Sequence, residues 1–196
     1  MKNAVALIAI AGIASVASAQ NLSISIVPSV TEVAPSGSFT LAVYGDADMG
    51  THMLGGSFGL TSDSALVSDM AWSPASWSSF NTDNGYAGNG NYNAVIFGQL
   101  VIPGVPPFDV PAAGSELGGL IGSFTVNVGA DAGIIDFVLT AEDPFSLQSI
   151  DSVTGDIFDD RTGQLSLGST RVTVTPAPAS LALLGLGGIA AGRRRR

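Results

Sequence analysis

The 196-residue chain has no cysteine, which excludes disulfide bonds, thiol catalysis and cysteine-ligated metal sites. It has one histidine, His52, and it lacks the H-E-x-x-H and phosphate-loop motifs of common enzyme classes. The sequence therefore predicts no catalytic residues and a protein that is not an enzyme. An acidic secreted hydrolase remains the remoter alternative, because two carboxylates suffice for glycosidase chemistry and the sequence does not give the distances between them.

Positive charge is scarce in the middle of the chain. Five of the seven Lys and Arg residues lie at the two ends, and only Arg161 and Arg171 fall between Gln20 and Thr175. All sixteen Asp and Glu residues lie in that interval, so two arginines against sixteen carboxylates leave a net charge of −14. A surface of this sign repels nucleic acid, and we exclude DNA and RNA as partners.

The N-terminus has the three parts of a secretory signal. A positive start at Lys2 precedes the apolar stretch from Ala4 to Val16, and small residues at Ala17 and Ala19 form a cleavage site before Gln20. Neither a twin arginine nor a lipobox cysteine is present. We therefore predict that residues 1–19 are a signal peptide, removed after export by the general secretory route.

The C-terminus carries a second apolar segment. Pro176 and Pro178 flank Ala177 and end the preceding strand, an uncharged stretch runs to Gly192, and Arg193, Arg194, Arg195 and Arg196 close the chain. As a helix the sixteen residues from Ala177 to Gly192 span roughly 24 Å, slightly less than the ~30 Å hydrocarbon core of a bilayer. The pattern predicts marginal insertion into the inner membrane with the arginines on the cytoplasmic side.

This order of elements resembles the PEP-CTERM sorting tail of Gram-negative bacteria over Thr175–Arg196. The resemblance implies a membrane-embedded exosortase as partner, and a place at the cell surface or with exopolysaccharide. The chain departs from the family at Ala177, where the family has Glu. Cleavage of the tail therefore stays open, and the alternative is a plain membrane anchor without processing.

Residues 20–174 show the pattern of one all-β domain. Short runs rich in Val, Ile, Phe, Thr and Leu alternate with clusters of Gly, Pro, Ser, Asn and Asp, while helical periodicity is scarce. This pattern predicts an antiparallel β-sandwich, flanked by the signal peptide and by a C-terminal hydrophobic helix in residues 175–196. The main candidate strands are Leu22–Val27, Ser38–Tyr44, Gly55–Leu60, Ala94–Ile102, Gly119–Val128, Ile134–Thr140 and Gly163–Val174, with short ones near Ala65–Ser68 and Leu147–Asp151.

Three of these segments resemble the cohesin-like or carbohydrate-binding-module-like sandwiches of bacterial surface proteins. They are Val30–Val43, with Pro35 and Gly37 before an alternating strand, Gly55–Leu60 and Ile121–Val126. The resemblance implies a jelly-roll or immunoglobulin-like sandwich with an adhesive, non-catalytic role.

Aromatic residues are concentrated between Thr61 and Asn93. Trp72, Trp77, Phe80, Tyr86 and Tyr92 alternate there with Ser, Gly, Asn and Asp residues. Exposed rings beside such polar groups stack on sugars, so we consider this segment, and Trp72, Trp77, Tyr86 and Tyr92 in particular, as glycan contacts. The alternative is that the rings cover the open end of the sandwich.

The densest acidic stretch supplies weak candidates for a metal site. Asp151, Asp156, Asp159 and Asp160 offer the oxygen ligands that Ca²⁺ prefers, but no D-x-[DN]-x-[DN]-G loop is present. We expect no cofactor apart from weak calcium binding here. The alternative is a solvated turn between two edge strands.

Taken together, these features favour an exported, surface-sorted structural or adhesive protein of the bacterial envelope or exopolysaccharide matrix. A carbohydrate-binding module is the nearer alternative, since the aromatic segment is the only ligand signal of that kind in the sequence. An exposed, flat row of aromatic rings would favour the module, and two carboxylates about 5 to 10 Å apart in a cleft would favour the hydrolase.

Overall fold

The computed structural model describes residues 20–176, and strands are the only regular elements among them. No helix in this part of the chain is long and apolar enough to cross a bilayer. Ala17, Ala19, Ala177, Pro178 and Arg193–Arg196 lie outside the described residues, as does the predicted C-terminal helix. The strands are β1 (Asn21–Pro28), β2 (Glu32–Val33), β3 (Ser38–Ala47), β4 (His52–Thr61), β5 (Val67–Pro74), β6 (Thr82–Asp83), β7 (Tyr86–Gly88), β8 (Asn91–Gly98), β9 (Gly119–Val128), β10 (Gly133–Ala141), β11 (Gln148–Ile150), β12 (Ile157–Asp159), β13 (Gln164–Leu167) and β14 (Ser169–Val174).

Two sheets form the predicted β-sandwich, and the all-β fold class is confirmed. The first sheet has the order β13-β1-β3-β9-β5, in which β13 runs parallel to β1 and the other pairs are antiparallel. In the second sheet β8 pairs with one edge of β4, while β10 and β11 share its other edge. This sheet continues from β10 to β14 and β2, from β11 to β12, and from β8 to β6 and β7.

Alternation of apolar and polar residues places the core between the sheets. In β1, Leu22, Ile24 and Ile26 are buried while the serines between them face outward. The centre of the core is aromatic: the Phe58 ring lies 5.5 Å from Trp72, 5.8 Å from Phe97 and 6.3 Å from Phe124 between ring centroids. Burial of each such large side chain contributes about 1.5 to 3 kcal/mol, which supplies stability to a domain without disulfides.

Three of the predicted strands differ from those in the structure. The short strand predicted near Ala65–Ser68 is β5, which begins at Val67 and runs on to Pro74. The strand predicted over Ala94–Ile102 ends at Gly98, because the Gln99 side chain bonds to Met53 of β4 and to Ala112 in the following loop, and Pro103 cannot donate to a ladder. The strand predicted over Gly163–Val174 is two strands in different sheets. They meet at Gly168, whose N–H donates to Ile24 in the first sheet and whose carbonyl accepts from Leu139 in the second.

Candidate functional site

The aromatic side chains singled out for glycan contact lie mainly in the core. Trp72, Trp77 and Tyr92 are 8%, 5% and 5% exposed. The Trp72 ring packs 4.7 Å from the Phe124 ring, and the Trp77 Nε1 donates a hydrogen bond to the Leu120 carbonyl at 2.8 Å. A ring enclosed in this way has no free face for a sugar, so the structure corrects the hypothesis of an exposed aromatic row made of these residues.

Tyr86 and Tyr92 instead close the free edge of β5. The Tyr92 hydroxyl accepts from the Trp72 N–H at 3.1 Å and donates to Asp83 at 2.9 Å, while the half-buried Tyr86 donates to the Val67 carbonyl at 2.8 Å. Burial, followed by the hydrogen bond to Asp83, raises the pKa of Tyr92 to about 12. The two hydroxyls satisfy backbone groups that an edge strand otherwise leaves open to pairing with other chains.

The first two calcium candidates serve as turn residues. The Asp151 carboxylate accepts hydrogen bonds from the N–H groups of Val153 at 2.8 Å and Thr154 at 3.1 Å. These bonds lower the pKa of Asp151 because they stabilise its charged form. The Asp156 carboxylate accepts from the Thr154 hydroxyl at 2.8 Å. Both acids therefore stabilise the turn before β12.

The other two candidates hold the segment before β11. Asp159 accepts from the Ser146 hydroxyl at 3.0 Å, and Asp160 accepts from the Leu147 N–H at 3.1 Å. Partial burial opposes ionisation of Asp159, but hydrogen bonds led by the one from the Arg161 N–H lower its pKa overall. Within residues 20–176 no three His, Asp or Glu side chains are grouped so as to hold a metal ion. Weak calcium binding stays a prediction.

A solvent-open groove lies on the outer face of the second sheet, over β4 and β8. Its volume is about 370 Å³, and its walls are Phe80 and Phe145, which are 55% and 46% exposed and meet edge to face at 5.9 Å between centroids. We call this cavity the apolar groove. It is lined by Leu54, Gly55, Gly56, Phe80, Ile96, Phe97, Gly98, Gln99, Leu100, Phe145, Ser146 and Gln148.

The three polar side chains of the apolar groove are already engaged within the protein. The Gln99 amide donates to Met53 and Ser115 and accepts from the Ala112 N–H at 2.7 Å. Ser146 and Gln148 both donate to Asp159, at 3.0 and 3.4 Å. The groove therefore presents mainly apolar surface to a ligand.

The Phe145 wall is fixed by one buried hydroxyl. The Ser57 side chain, which projects from β4, donates to the carbonyls of Glu142 and Phe145 and accepts from the Phe145 N–H at 3.0 Å. Ser57 is buried, so these bonds are shielded from water. The segment that carries Phe145 is thus preorganised before any partner arrives.

An acidic pocket of about 300 Å³ adjoins the groove and shares Phe145 and Ser146 with it. Glu142, Asp143 and Asp160 contribute three carboxylates to its lining, and Arg161 contributes one positive charge. A single connected surface therefore combines apolar walls with negative charge.

The loop that leaves β8 carries further exposed apolar side chains. Leu100 lines the groove, and Ile102, Val105, Phe108 and Val110 follow it as exposed apolar side chains. The loop is closed by backbone hydrogen bonds from the Ile102 N–H to the Phe108 carbonyl and from the Phe108 N–H to the Val105 carbonyl. Exposed apolar area of this extent is typical of an interaction surface.

Sequence reasoning placed Phe80 in the aromatic segment between Thr61 and Asn93, but it did not identify Phe145 or the groove that the two rings line. Phe80 lies in Ser-Ser-Phe-Asn, and Phe145 in Asp-Pro-Phe-Ser, so each ring stands alone among turn-forming residues. Their proximity depends on the loops after β5 and β10 folding over the same sheet face.

No protein-family model matches the sequence, and no curated protein matches it either. Solved structures do resemble the fold. The seventh ScaB type I cohesin from Pseudobacteroides cellulosolvens is 13% identical with a TM-score of 0.50, and the match covers 81% of this chain and 94% of that one.

The cohesin module CaCohA2 from Clostridium acetobutylicum is similar to the same degree. It is 14% identical with a TM-score of 0.50, and the match covers 80% of this chain and 92% of that one. At this identity the likeness establishes the architecture alone. It supports the cohesin-like sandwich that the sequence predicted.

Proposed function

We propose that this chain is an exported, surface-displayed β-sandwich module with an adhesive or structural role, and that it docks another protein in the apolar groove. One observation carries the proposal: the solvent-open groove lined by the Phe80–Phe145 pair is preorganised and mainly apolar. Preformed pockets flanked by exposed aromatic side chains are typical anchor sites of protein interfaces.

The lining of the groove favours a protein over a glycan. A sugar ring stacks on an aromatic face but also needs partners for its hydroxyl groups. Gln99, Ser146 and Gln148 would have to give up internal hydrogen bonds to provide them. An apolar side chain of a protein partner requires no such exchange, so it binds at lower cost.

The ends of the chain underlie the proposed location. We divide the protein into a signal peptide (1–19), the sandwich domain (20–174) and a sorting or anchoring tail (175–196). Export by the secretory route, followed by inner-membrane anchoring through the tail, would bring the domain to the cell surface or matrix. An exosortase-type enzyme is the proposed partner of the tail, and exopolysaccharide is a proposed neighbour of the exported domain.

Site-specific photo-crosslinking tests the docking surface. A benzophenone amino acid replaces Leu100 at the groove, or Thr125 on the outer face of the first sheet, in full-length protein made in its native host. We expect a discrete protein adduct from position 100 and none from position 125. Equal adducts from both positions, no adduct from position 100, or an adduct with polysaccharide would contradict the proposal.

A further inference from the structure

The apolar groove and the acidic pocket form one binding surface, since Phe145 and Ser146 line both. We propose that the protein segment docked here carries an apolar side chain with Arg or Lys close beside it in space. The inference rests on the proposed docking function and specifies the chemistry of the partner. The apolar side chain enters the groove, and the cationic group lies against the carboxylates of the acidic pocket.

Charge in the acidic pocket is unbalanced. Glu142, Asp143 and Asp160 face a single cation, Arg161, and the one ion pair in the described part of the chain joins Arg171 to Asp136 elsewhere. The surrounding domain adds to the negative field, because its sixteen carboxylates face only two arginines. A cationic partner is attracted by this field, and an anionic one is repelled as it approaches.

A second copy of the sandwich does not supply the required cation. The described residues 20–176 contain only Arg161 and Arg171, and Arg171 holds Asp136 through a bond of 2.6 Å from its Nε. Two domains of charge −14 also repel each other, which disfavours self-association through this face. The charge balance therefore points to a different protein as the partner.

Short synthetic peptides test this chemistry directly. Each fluorescent peptide carries one Phe or Leu beside either a pair of arginines or a pair of glutamates, with the rest of the sequence unchanged. Binding to the purified full-length protein is measured by fluorescence anisotropy. We expect the arginine peptide to bind and the glutamate peptide to bind at least about tenfold more weakly. Raising the salt concentration from about 0.05 M to about 0.5 M should weaken the binding of the arginine peptide.

Matched variants show which residues are responsible for binding the arginine peptide. Glu142→Gln with Asp143→Asn removes two charges from the acidic pocket and should lower the affinity for the arginine peptide about three- to tenfold. Glu32→Gln with Asp131→Asn removes the same charge at the opposite end of β10, where β2 and the β9–β10 turn lie, and should leave the affinity unchanged. Phe80→Ala with Phe145→Ala removes the groove walls and should abolish binding of the arginine peptide.

The outcomes separate the two proposals. If the arginine and glutamate peptides bind equally and both depend on Phe80 and Phe145, apolar docking stands and the cationic requirement is wrong. Binding that depends on charge but not on these two walls would contradict the apolar anchor and therefore both proposals. An equal effect of the two charge-removing variants, or no binding by any peptide, would also overturn the inference.

Discussion

At the scale of single residues, Tyr92 shows how an aromatic residue serves the fold through its hydroxyl. Replacing Tyr92 with Phe keeps the buried ring but leaves the Trp72 N–H without its acceptor. We expect the free energy of unfolding to fall by about 1 to 3 kcal/mol, the usual effect of one unsatisfied buried donor. Urea unfolding followed by circular dichroism measures it.

Tyr44→Phe is the matched control, because the Tyr44 hydroxyl makes no hydrogen bond within the described residues. The control should unfold at nearly the same urea concentration as the unaltered protein. Equal stability of Tyr92→Phe and Tyr44→Phe would mean that water or another group replaces the lost acceptor.

From the raised pKa of the same hydroxyl we predict that the protein loses stability at alkaline pH. The folded state holds the pKa of Tyr92 at about 12, whereas an unfolded Tyr ionises near pH 10. The contribution of the protonated Tyr92 hydroxyl to the free energy of unfolding is therefore complete below about pH 10. It is lost as the pH rises towards 12, by about 2 to 3 kcal/mol. Urea unfolding at a series of pH values checks this. The alkaline loss should be smaller in Tyr92→Phe, and an equal loss in both proteins would assign it to other groups.

The sequence indicated that aromatic residues are important at the site, but not which of them are exposed. Trp72, Trp77 and Tyr92 drew attention because they are aromatic and lie among polar residues, but an isolated ring in a polar segment is equally compatible with burial. Phe80 and Phe145 lie far apart in the sequence and meet only in the folded chain. The groove could not be predicted because neither local stretch encodes that meeting.

At the scale of strands, close approach of β5 to β9 depends on Gly122. A Cβ at this position would overlap the Trp72 ring and lie 2.7 Å from the Ser73 carbonyl oxygen. Gly122→Ala should therefore lower the free energy of unfolding by about 1 to 3 kcal/mol, as overpacking in a core does. Thermal unfolding followed by tryptophan fluorescence tests it, since Trp72 reports the same contact.

Gly129→Ala is the control for this prediction. Its added Cβ would meet only the Leu66 carbonyl oxygen, at an ordinary contact distance of 3.5 Å. We expect a change within about 0.5 kcal/mol, as for most substitutions away from tight contacts. An equally large loss in Gly129→Ala would assign the effect to general loss of glycine from β9 and its end rather than to the Trp72 contact.

Strand existence was predictable because alternation of apolar and polar residues is a local property. Gly119–Val128 and Ile134–Thr140 were placed correctly from that signal, as β9 and within β10. The change of sheet at Gly168 was not predictable. Burial alternates along both β13 and β14, and a single glycine between them does not interrupt the pattern of one continuous strand. Which partner each strand finds depends on distant segments.

At the scale of the whole molecule, the tail is expected to control where the domain is held. Replacing Arg193–Arg196 with Ser should impair membrane retention, because a marginal apolar segment without cytoplasmic cations can pass into the periplasm. Fractionation of the native host, with immunoblotting of membrane and soluble fractions, measures this. Ala177→Glu should leave localisation unchanged.

Two results would contradict the tail prediction. Normal membrane retention of the variant without Arg193–Arg196 would contradict the topological role of these four arginines. A new, shorter form of the protein in Ala177→Glu would show that the natural tail is a poor substrate and acts mainly as an anchor.

The whole-molecule properties were the most accessible to sequence reasoning. The charge of −14 between Gln20 and Thr175 and the all-β pattern follow from composition and periodicity, and they limit the partners and the architecture. The position of the interaction surface was not accessible, because it arises where the loops after β5, β8 and β10 cover one face of the second sheet.

The most direct test of the docking account is the yield of the protein adduct formed from a benzophenone at position 100 when the groove walls are removed. We predict that Phe80→Ala with Phe145→Ala lowers this yield at least about tenfold in the native host. The control, Val27→Ala with Ile134→Ala, removes two exposed apolar side chains elsewhere and should leave it unchanged. An undiminished yield without Phe80 and Phe145 would contradict docking in the apolar groove.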